Sequence, residues 1–250
     1  MQIVGYDTGI NDPPAALVAD DGSVDRVSLE SGRELSFALG VRHCAGVIDG
    51  EDHRPCDRPA APYCDAHADR WPCARCTGTC SLPLESCREE HVVYLAAFAP
   101  ATFKVGVTRS WRLRRRLREQ GADRGAHLRT VENGRIAREI EADIAVDVGD
   151  RVRVPTKIDG LHRSVDADAW RDLLTDYDHV ETLAFDYGVD LADRPVAETL
   201  FSGAIRGVKG RILLLDNGGS TYAVDLRDLV GYDLAEGGPN REIQSSLGAF

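Results

Sequence analysis

Lysine is almost missing from this chain. Of 30 basic residues only Lys104, Lys157 and Lys209 are lysine, and the rest are arginine. Long apolar runs are missing too: no stretch approaches the roughly 20 continuous apolar residues that a membrane span needs. The opening Met1-Gln2-Ile3-Val4-Gly5-Tyr6-Asp7 has no basic segment followed by an apolar one, which argues against a secretory leader. A P-loop, a dinucleotide-binding fingerprint and a Ser/His/Asp pattern are all absent, which removes the commonest nucleotide-binding and hydrolase readings. The expectation is a cytoplasmic protein without membrane association.

Charge and length add to this. Acidic residues number 41, giving a net charge of −11 over 250 residues. An acidic, lysine-poor surface suits a cytoplasm near molar salt, the halophilic condition, although a high-GC genome gives the same bias. At about 1 M salt the Debye length is only roughly 3 Å, so local basic clusters matter and the total does not. The length leaves room for one large domain or two small ones.

The seven cysteines crowd into a short stretch: Cys44, Cys56, Cys64, Cys73, Cys76, Cys80 and Cys87. An odd number in a reducing compartment speaks against disulfides and for metal. With His67 they make eight donors, enough for two tetrahedral sites. The spacing is Cys44-x11-Cys56-x7-Cys64-x2-His67, then Cys73-x2-Cys76-x3-Cys80-x6-Cys87. Short turns present two donors to one ion, and four thiolate or imidazole ligands make a closed structural zinc site. The simplest pairing is sequential, three cysteines with His67 and then four cysteines; crossed pairing stays open. Free buried cysteines, or an iron–sulfur cluster on the second quartet, are the alternatives. His43, His53 and His91 could compete with His67 as ligands, but each is expected at the surface.

Along the chain, 1–41 reads as short strands split by Asp20-Asp21-Gly22 and Ser31-Gly32. Residues 42–90, poor in aliphatic side chains, form the zinc module. In the 91–195 core, Val92–Phe98 and Phe103–Val107 predict a hairpin. Thr108 or Ser110 then caps a helix that runs to about Gln120 and stops at Gly121. Ile136, Ile140 and Ile144 mark a second helix, and a third covers 166–177. Strands return over 196–236, where they could pair with those of 1–41, and 237–250 is a loose tail.

Six of the ten residues from Arg109 to Arg118 are arginine. Arg109, Arg112, Arg114, Arg115 and Arg118 are candidate nucleic-acid contacts, since guanidinium groups grip phosphate in bidentate fashion. The alternative is a solvated helix face balanced by nearby acids. On a helical wheel Leu113, Leu117 and Gln120 form the packed stripe and Arg116 lies nearest its edge. On the next helix Glu139 and Glu141 flank the isoleucine stripe almost equally, with Glu141 slightly favoured. A carboxylate there suits a hard divalent cation.

The segments Val93-Tyr94-Leu95-Ala96, Lys104-Val105-Gly106-Val107-Thr108-Arg109, Glu119-Gln120-Gly121-Ala122, Ile140-Glu141 and Gly207-Val208-Lys209-Gly210, with the cysteine segment, resemble domain of unknown function family 2797 over most of the chain. More distantly, Val92-Val93-Tyr94 and Lys104-Val105-Gly106 resemble the paired motifs of the GIY-YIG nuclease superfamily. That resemblance implies Tyr94, Arg116 and Glu141 as catalytic residues: Tyr94 assisting deprotonation of water, Arg116 stabilising phosphorane-like charge, Glu141 holding Mg²⁺ or Mn²⁺. Lys104 stands where the second tyrosine would, and could grip a phosphate or serve as base if its pKa were depressed.

The expected fold is α+β: a GIY-YIG-like hairpin-and-helix core preceded by a two-zinc module, with the terminal strands forming a small β unit. The expected function is that of a zinc-containing protein acting on nucleic acid, RNA or DNA, as a metal-dependent nuclease. A non-catalytic nucleic-acid-binding module and a zinc-stapled protein–protein adaptor are the alternatives.

Overall fold

The computed structural model describes residues 1–10, 12–68 and 87–237, so the tail expected over 237–250 lies almost wholly outside the described residues. In chain order the strands begin with β1 (Gln2–Asp7), β2 (Ala15–Asp20), β3 (Ser23–Ser28), β4 (Glu34–Arg42), β5 (Val47–Asp49) and β6 (Asp52–Arg54). Next come β7 (His91–Phe98), β8 (Thr102–Arg109), α1 (Leu113–Gln120), β9 (Arg124–Val131), α2 (Gly134–Val148), α3 (Val154–Gly160), α4 (Ala167–Thr175) and β10 (Glu181–Ala184). The last are β11 (Val196–Ala197), β12 (Phe201–Lys209), β13 (Ile212–Asn217), β14 (Ser220–Asp225), α5 (Leu226–Leu229) and β15 (Tyr232–Glu236). The chain is mixed α+β and divides into two units.

One unit gathers both ends of the chain: Met1–Asp69, Tyr187–Val189 and Pro195–Phe250. Its eleven-stranded sheet runs β11-β14-β13-β12-β4-β15-β1-β2-β3-β6-β5. Strand β4 is the joint, pairing antiparallel with β12 (Phe201 opposite Phe37) on one side and β15 (Leu234 opposite Leu39) on the other. This sheet is larger than the small unit expected from the terminal strands. It also takes residues 47–54, assigned to the zinc module from sequence, where the Gly50-Glu51 turn closes a short hairpin. Leu213, Leu215 and Leu229 are fully buried, and they join Ile3, Val18, Leu29 and Phe201 in one core.

The second unit comprises Arg70–Asp186 and Asp190–Arg194. Its four-stranded sheet has the order β10-β9-β7-β8, so β7 is internal and β8 is an edge. An unbroken apolar run suits β7, which is covered on both faces. On one face Val92, Tyr94, Ala96 and Phe98 meet Leu113 and Leu117 of α1. On the other, Val93, Leu95 and Ala97 meet Ala137, Ile140 and Ile144 of α2 and Trp170 of α4.

Helix α1 departs from expectation at its start. Neither Thr108 nor Ser110 caps it; the chain leaves β8 through a 3-10 turn over Ser110–Arg112, with no side-chain cap on either segment. Its end follows the sequence: Gly121 takes a left-handed φ of 70° and its N–H returns to the Arg118 carbonyl. Among the described residues no helix is long and apolar enough to cross a membrane.

Candidate metal centre and candidate phosphate site

In the first unit, four donors converge. Cys44 follows the end of β4, Cys56 follows β6, and Cys64 and His67 sit on the next turn. Their ligand atoms all lie within 4.8 Å of one another. The Sγ atoms of Cys56 and Cys64 are 4.0 Å apart, and His67 Nδ1 lies 3.3 Å from Cys44 Sγ and 3.4 Å from Cys64 Sγ. A tetrahedron built on Zn–S bonds of about 2.3 Å has edges of roughly 3.8 Å, shorter toward nitrogen, so this soft, closed donor set suits zinc.

Backbone hydrogen bonds hold the loops before any ion enters. Cys44 N–H donates to the Arg58 carbonyl and Ala45 N–H to that of Pro62, both at 2.9 Å. His67 and Ala68 N–H groups both return to the Cys64 carbonyl, which bends the turn and presents the imidazole. Burial pushes the Cys64 thiol up, but the Ala66 and His67 N–H groups and neighbouring Cys44 and Cys56 outweigh it and leave it lowered. At Cys56 the Arg58 N–H pulls the thiol down, yet burial and the adjacent Cys44 and Cys64 leave it raised.

Two histidines expected at the surface belong to this framework. His53 is only 8% exposed and its Nε2 lies 2.8 Å from the Ala45 carbonyl. His43 Nδ1 faces the Cys56 carbonyl at 3.0 Å and its Nε2 faces Asp233 at 3.1 Å. Polar satisfaction draws them in: the chain turns sharply between β4 and β6, and the rings meet the Ala45 and Cys56 carbonyls. His91 is partly exposed, with Nδ1 on the Glu89 carbonyl at 2.7 Å. Of the second quartet, Cys73, Cys76 and Cys80 lie outside the described residues, and Cys87 is a free, partly buried thiol.

In the second unit, β7 and β8 pair so that Tyr94 stands opposite Gly106 and Ala96 opposite Lys104. Tyr94, Lys104 and Gly106 therefore share the face covered by α1. A methyl group on Gly106 would lie 2.6 Å from both Cζ and Oη of Tyr94, so only glycine admits the ring here. Tyr94 is 1% exposed and accepts a hydrogen bond from Gln120 Nε2 at 2.7 Å. Burial pushes its phenol up, with Arg116 and the Gln120 bond pulling the other way and Glu141 adding to the rise. The phenol is neutral at physiological pH.

Lys104 is different. Burial and the Arg116 charge lower its ammonium to about 8, against the pull of Glu141 and Asp150. Asp150 is brought near by the chain leaving α2, because Val105 N–H donates to the Gly149 carbonyl at 2.9 Å. Helix α2 packs on the other face of the sheet from α1. At the open edge of β8, however, the Arg116 and Glu141 charges both act on Tyr94 and Lys104. The Arg116 side chain is 47% exposed and lies 3.4 Å from Glu119; that of Glu141 is 13% exposed and is held by Arg138 at 2.6 Å. Glu139, by contrast, is exposed and pairs with Arg135 along the helix.

The remaining arginines spread outward. Glu119 takes Arg112 at 3.2 Å and Arg115 at 2.9 Å as well as Arg116. Arg109 pairs with Glu89, Arg114 with Glu181, and Arg118 reaches the Asp186 carbonyl. Two residues of this cluster have roles the sequence reading did not assign. Gln120 lies on the packed stripe of α1, and a polar residue on an apolar stripe is itself a signal. Glu119 lies three or four residues from two arginines of its helix, the spacing of a helical ion pair.

Among families, the one described as Protein of unknown function (DUF2797) has a model that matches residues 55–234. No curated protein and no solved structure matches the chain.

Proposed function

This chain belongs to the DUF2797 family, and we propose from that premise that it acts on nucleic-acid phosphodiesters through Tyr94, Lys104, Arg116 and Glu141. The observation that supports this is the joint action of Arg116 and Glu141 on one buried phenol and one depressed amine. A hairpin with α1 on one face and α2 on the other supports reading this unit as a GIY-YIG-like core. Lys104 in its neutral form accepts the proton of the attacking water at Nζ. The Arg116 guanidinium, half in solvent, meets the charge that grows on the phosphoryl oxygens. Tyr94 receives the Gln120 N–H at its oxygen and, shut off from solvent, acts as a positioning residue for Arg116, whose charge it feels. Glu141 would hold Mg²⁺ or Mn²⁺, which needs few protein ligands beside water and phosphate; Arg138 must give way for that. Such an ion supplies charge neutralisation at the phosphate. Arg109, Arg112, Arg114, Arg115 and Arg118 supply phosphate contacts around this centre.

Zinc is the scaffold in this reading, one ion on Cys44, Cys56, Cys64 and His67 and a second on Cys73, Cys76, Cys80 and Cys87. The test is cleavage of labelled RNA and DNA with Mg²⁺ or Mn²⁺, from low salt to molar KCl as the acidic, lysine-poor composition suggests. Metal-dependent cutting should fall about 10²–10³-fold in Arg116→Ala and be abolished in Glu141→Gln. The close Arg138–Glu141 pair favours a second reading, a non-catalytic RNA- or DNA-binding module. Retention without cutting would establish that reading, and no retention at any salt would overturn both.

A further inference from the structure

An exposed tryptophan stands at the head of the arginine helix. Trp111, in the 3-10 turn before α1, is 64% exposed, whereas Trp170 is buried in the core. An indole left in water forgoes a large hydrophobic gain, so its exposure needs a reason. Nor does the ring swing freely. Its Nε1 donates to Glu89 Oε2 at 3.3 Å, and Arg109 donates to the other oxygen of the same carboxylate at 3.2 Å. The Arg109 guanidinium lies 4.8 Å from the ring centroid and that of Arg112 lies 5.8 Å away. The indole is thus held by its edge, with two guanidinium groups over the ring and most of the residue still exposed.

That combination selects its ligand. Two guanidinium groups over the ring repel a cationic guest and attract phosphate, while the exposed part of the ring supplies a flat apolar surface. Bases inside a duplex are stacked on one another and offer no free face, so an indole of this kind serves an unpaired base. Helical rise puts Trp111 roughly 8 Å along the axis from Arg116, so a strand seated on the platform continues toward that guanidinium.

We propose that Trp111 is a stacking platform and that the substrate class of the Arg116 site is single-stranded or locally unpaired nucleic acid. This rests on the reading that the chain acts on nucleic acid, and it adds what kind. The experiment is titration of the full, zinc-loaded chain with oligouridylate, oligothymidylate and a blunt duplex of equal length, following binding and tryptophan fluorescence. The wild-type chain should prefer the single strands and show quenching. Trp111→Ala should weaken single-strand binding roughly 5- to 150-fold, leave duplex binding unchanged and leave the salt slope unchanged, because no phosphate contact is lost. Trp111→Phe should keep most of the affinity. If Trp111→Ala binds single strands as wild type does while Arg116→Ala does not, the platform is wrong and the nucleic-acid reading survives. If wild type prefers the duplex, the substrate class is wrong. If wild type binds none of the three at low salt, both proposals fall together.

Discussion

The Gln120 amide donates to the Tyr94 hydroxyl at 2.7 Å inside the second unit, where the phenol is shut off from solvent. The bond arises because Gly121 ends α1 at a left-handed turn, so that its final residue faces the sheet. A buried hydroxyl that accepts from an amide has its proton left for another partner. Gln120→Leu should therefore keep the fold at a cost of about 1–2 kcal/mol, the scale of one buried polar group left unpaired. In any cleavage assay it should lower turnover with little change in substrate affinity. A change in affinity alone would show that Gln120 only packs.

Gly106 is the counterpart on β8. Its Cβ position is filled by the Tyr94 ring, so Gly106→Ala must push the phenol out of place. Unfolding by denaturant should show a loss of about 1–3 kcal/mol, the usual cost of overpacking. In a Tyr94→Ala background most of that loss should vanish, because the clashing atoms are gone. Equal losses in both backgrounds would mean that the strand itself, and not the ring, demands glycine.

The hairpin could be read from sequence because the unbroken apolar run Val92–Phe98 is followed across a short turn by the alternating Phe103, Val105 and Val107, and α2 because its isoleucines recur at four-residue spacing. The cysteine spacing likewise marks the donors of the metal centre. What could not be read are features that depend on three dimensions. Strand β9 carries Arg124, Arg129 and a glycine, and it is strand only because β7 and β10 pair with it on both sides. Glu139 and Glu141 are nearly tied on a wheel; contact between α2 and the edge of β8 turns only Glu141 toward Lys104. His53 looked like a surface residue until the loop between β4 and β6 put a carbonyl in front of its ring.

The metal centre gives a direct test. Zinc content of the purified chain should be two ions per molecule, as eight soft donors allow. Cys44→Ser together with Cys64→Ser should remove one ion and leave the other, and Cys76→Ser should do the converse. Cobalt substituted for zinc should show thiolate-to-metal absorption from the Cys44 site, weakened in Cys64→Ser. Chelation should lower the melting temperature, since binding energy at such a site is folding energy. A single ion per chain would leave the second quartet without a metal.

Glu119 restrains the arginines it touches. Its carboxylate engages Arg112, Arg115 and Arg116 together. Burial pushes its pKa up, but those guanidinium groups more than reverse this and hold it below the ordinary glutamate range. Glu119→Gln frees three cations from an internal competitor. Nucleic-acid affinity at moderate salt should rise several-fold, with a steeper dependence on salt as more phosphates are neutralised. The same variant should be slightly less stable at pH 7. The stabilisation it removes is present above the unfolded glutamate pKa and fades as pH falls through the lowered folded value. Unchanged affinity would show that these arginines do not meet phosphate.

Lys104 sets a pH dependence of the opposite kind. Its ammonium is lowered to about 8 by burial and by Arg116, against roughly 10.4 in an unfolded chain. Between those values the unfolded state binds more protons than the folded one, so stability rises with pH across that window. Below about 8 the folded protein carries a charged lysine against its preference, a cost of about 3 kcal/mol. Lys104→Met should remove that cost, raise the melting temperature at pH 7 and flatten its slope between pH 8 and 10. Competitive labelling with an amine reagent should find Lys104 titrating near 8. Cleavage, if Lys104 is the base, should rise with pH and level off above about 8, and the methionine variant should lose that limb. A melting temperature that drops in Lys104→Met would mean that Glu141 and Asp150 need the charge more than burial opposes it.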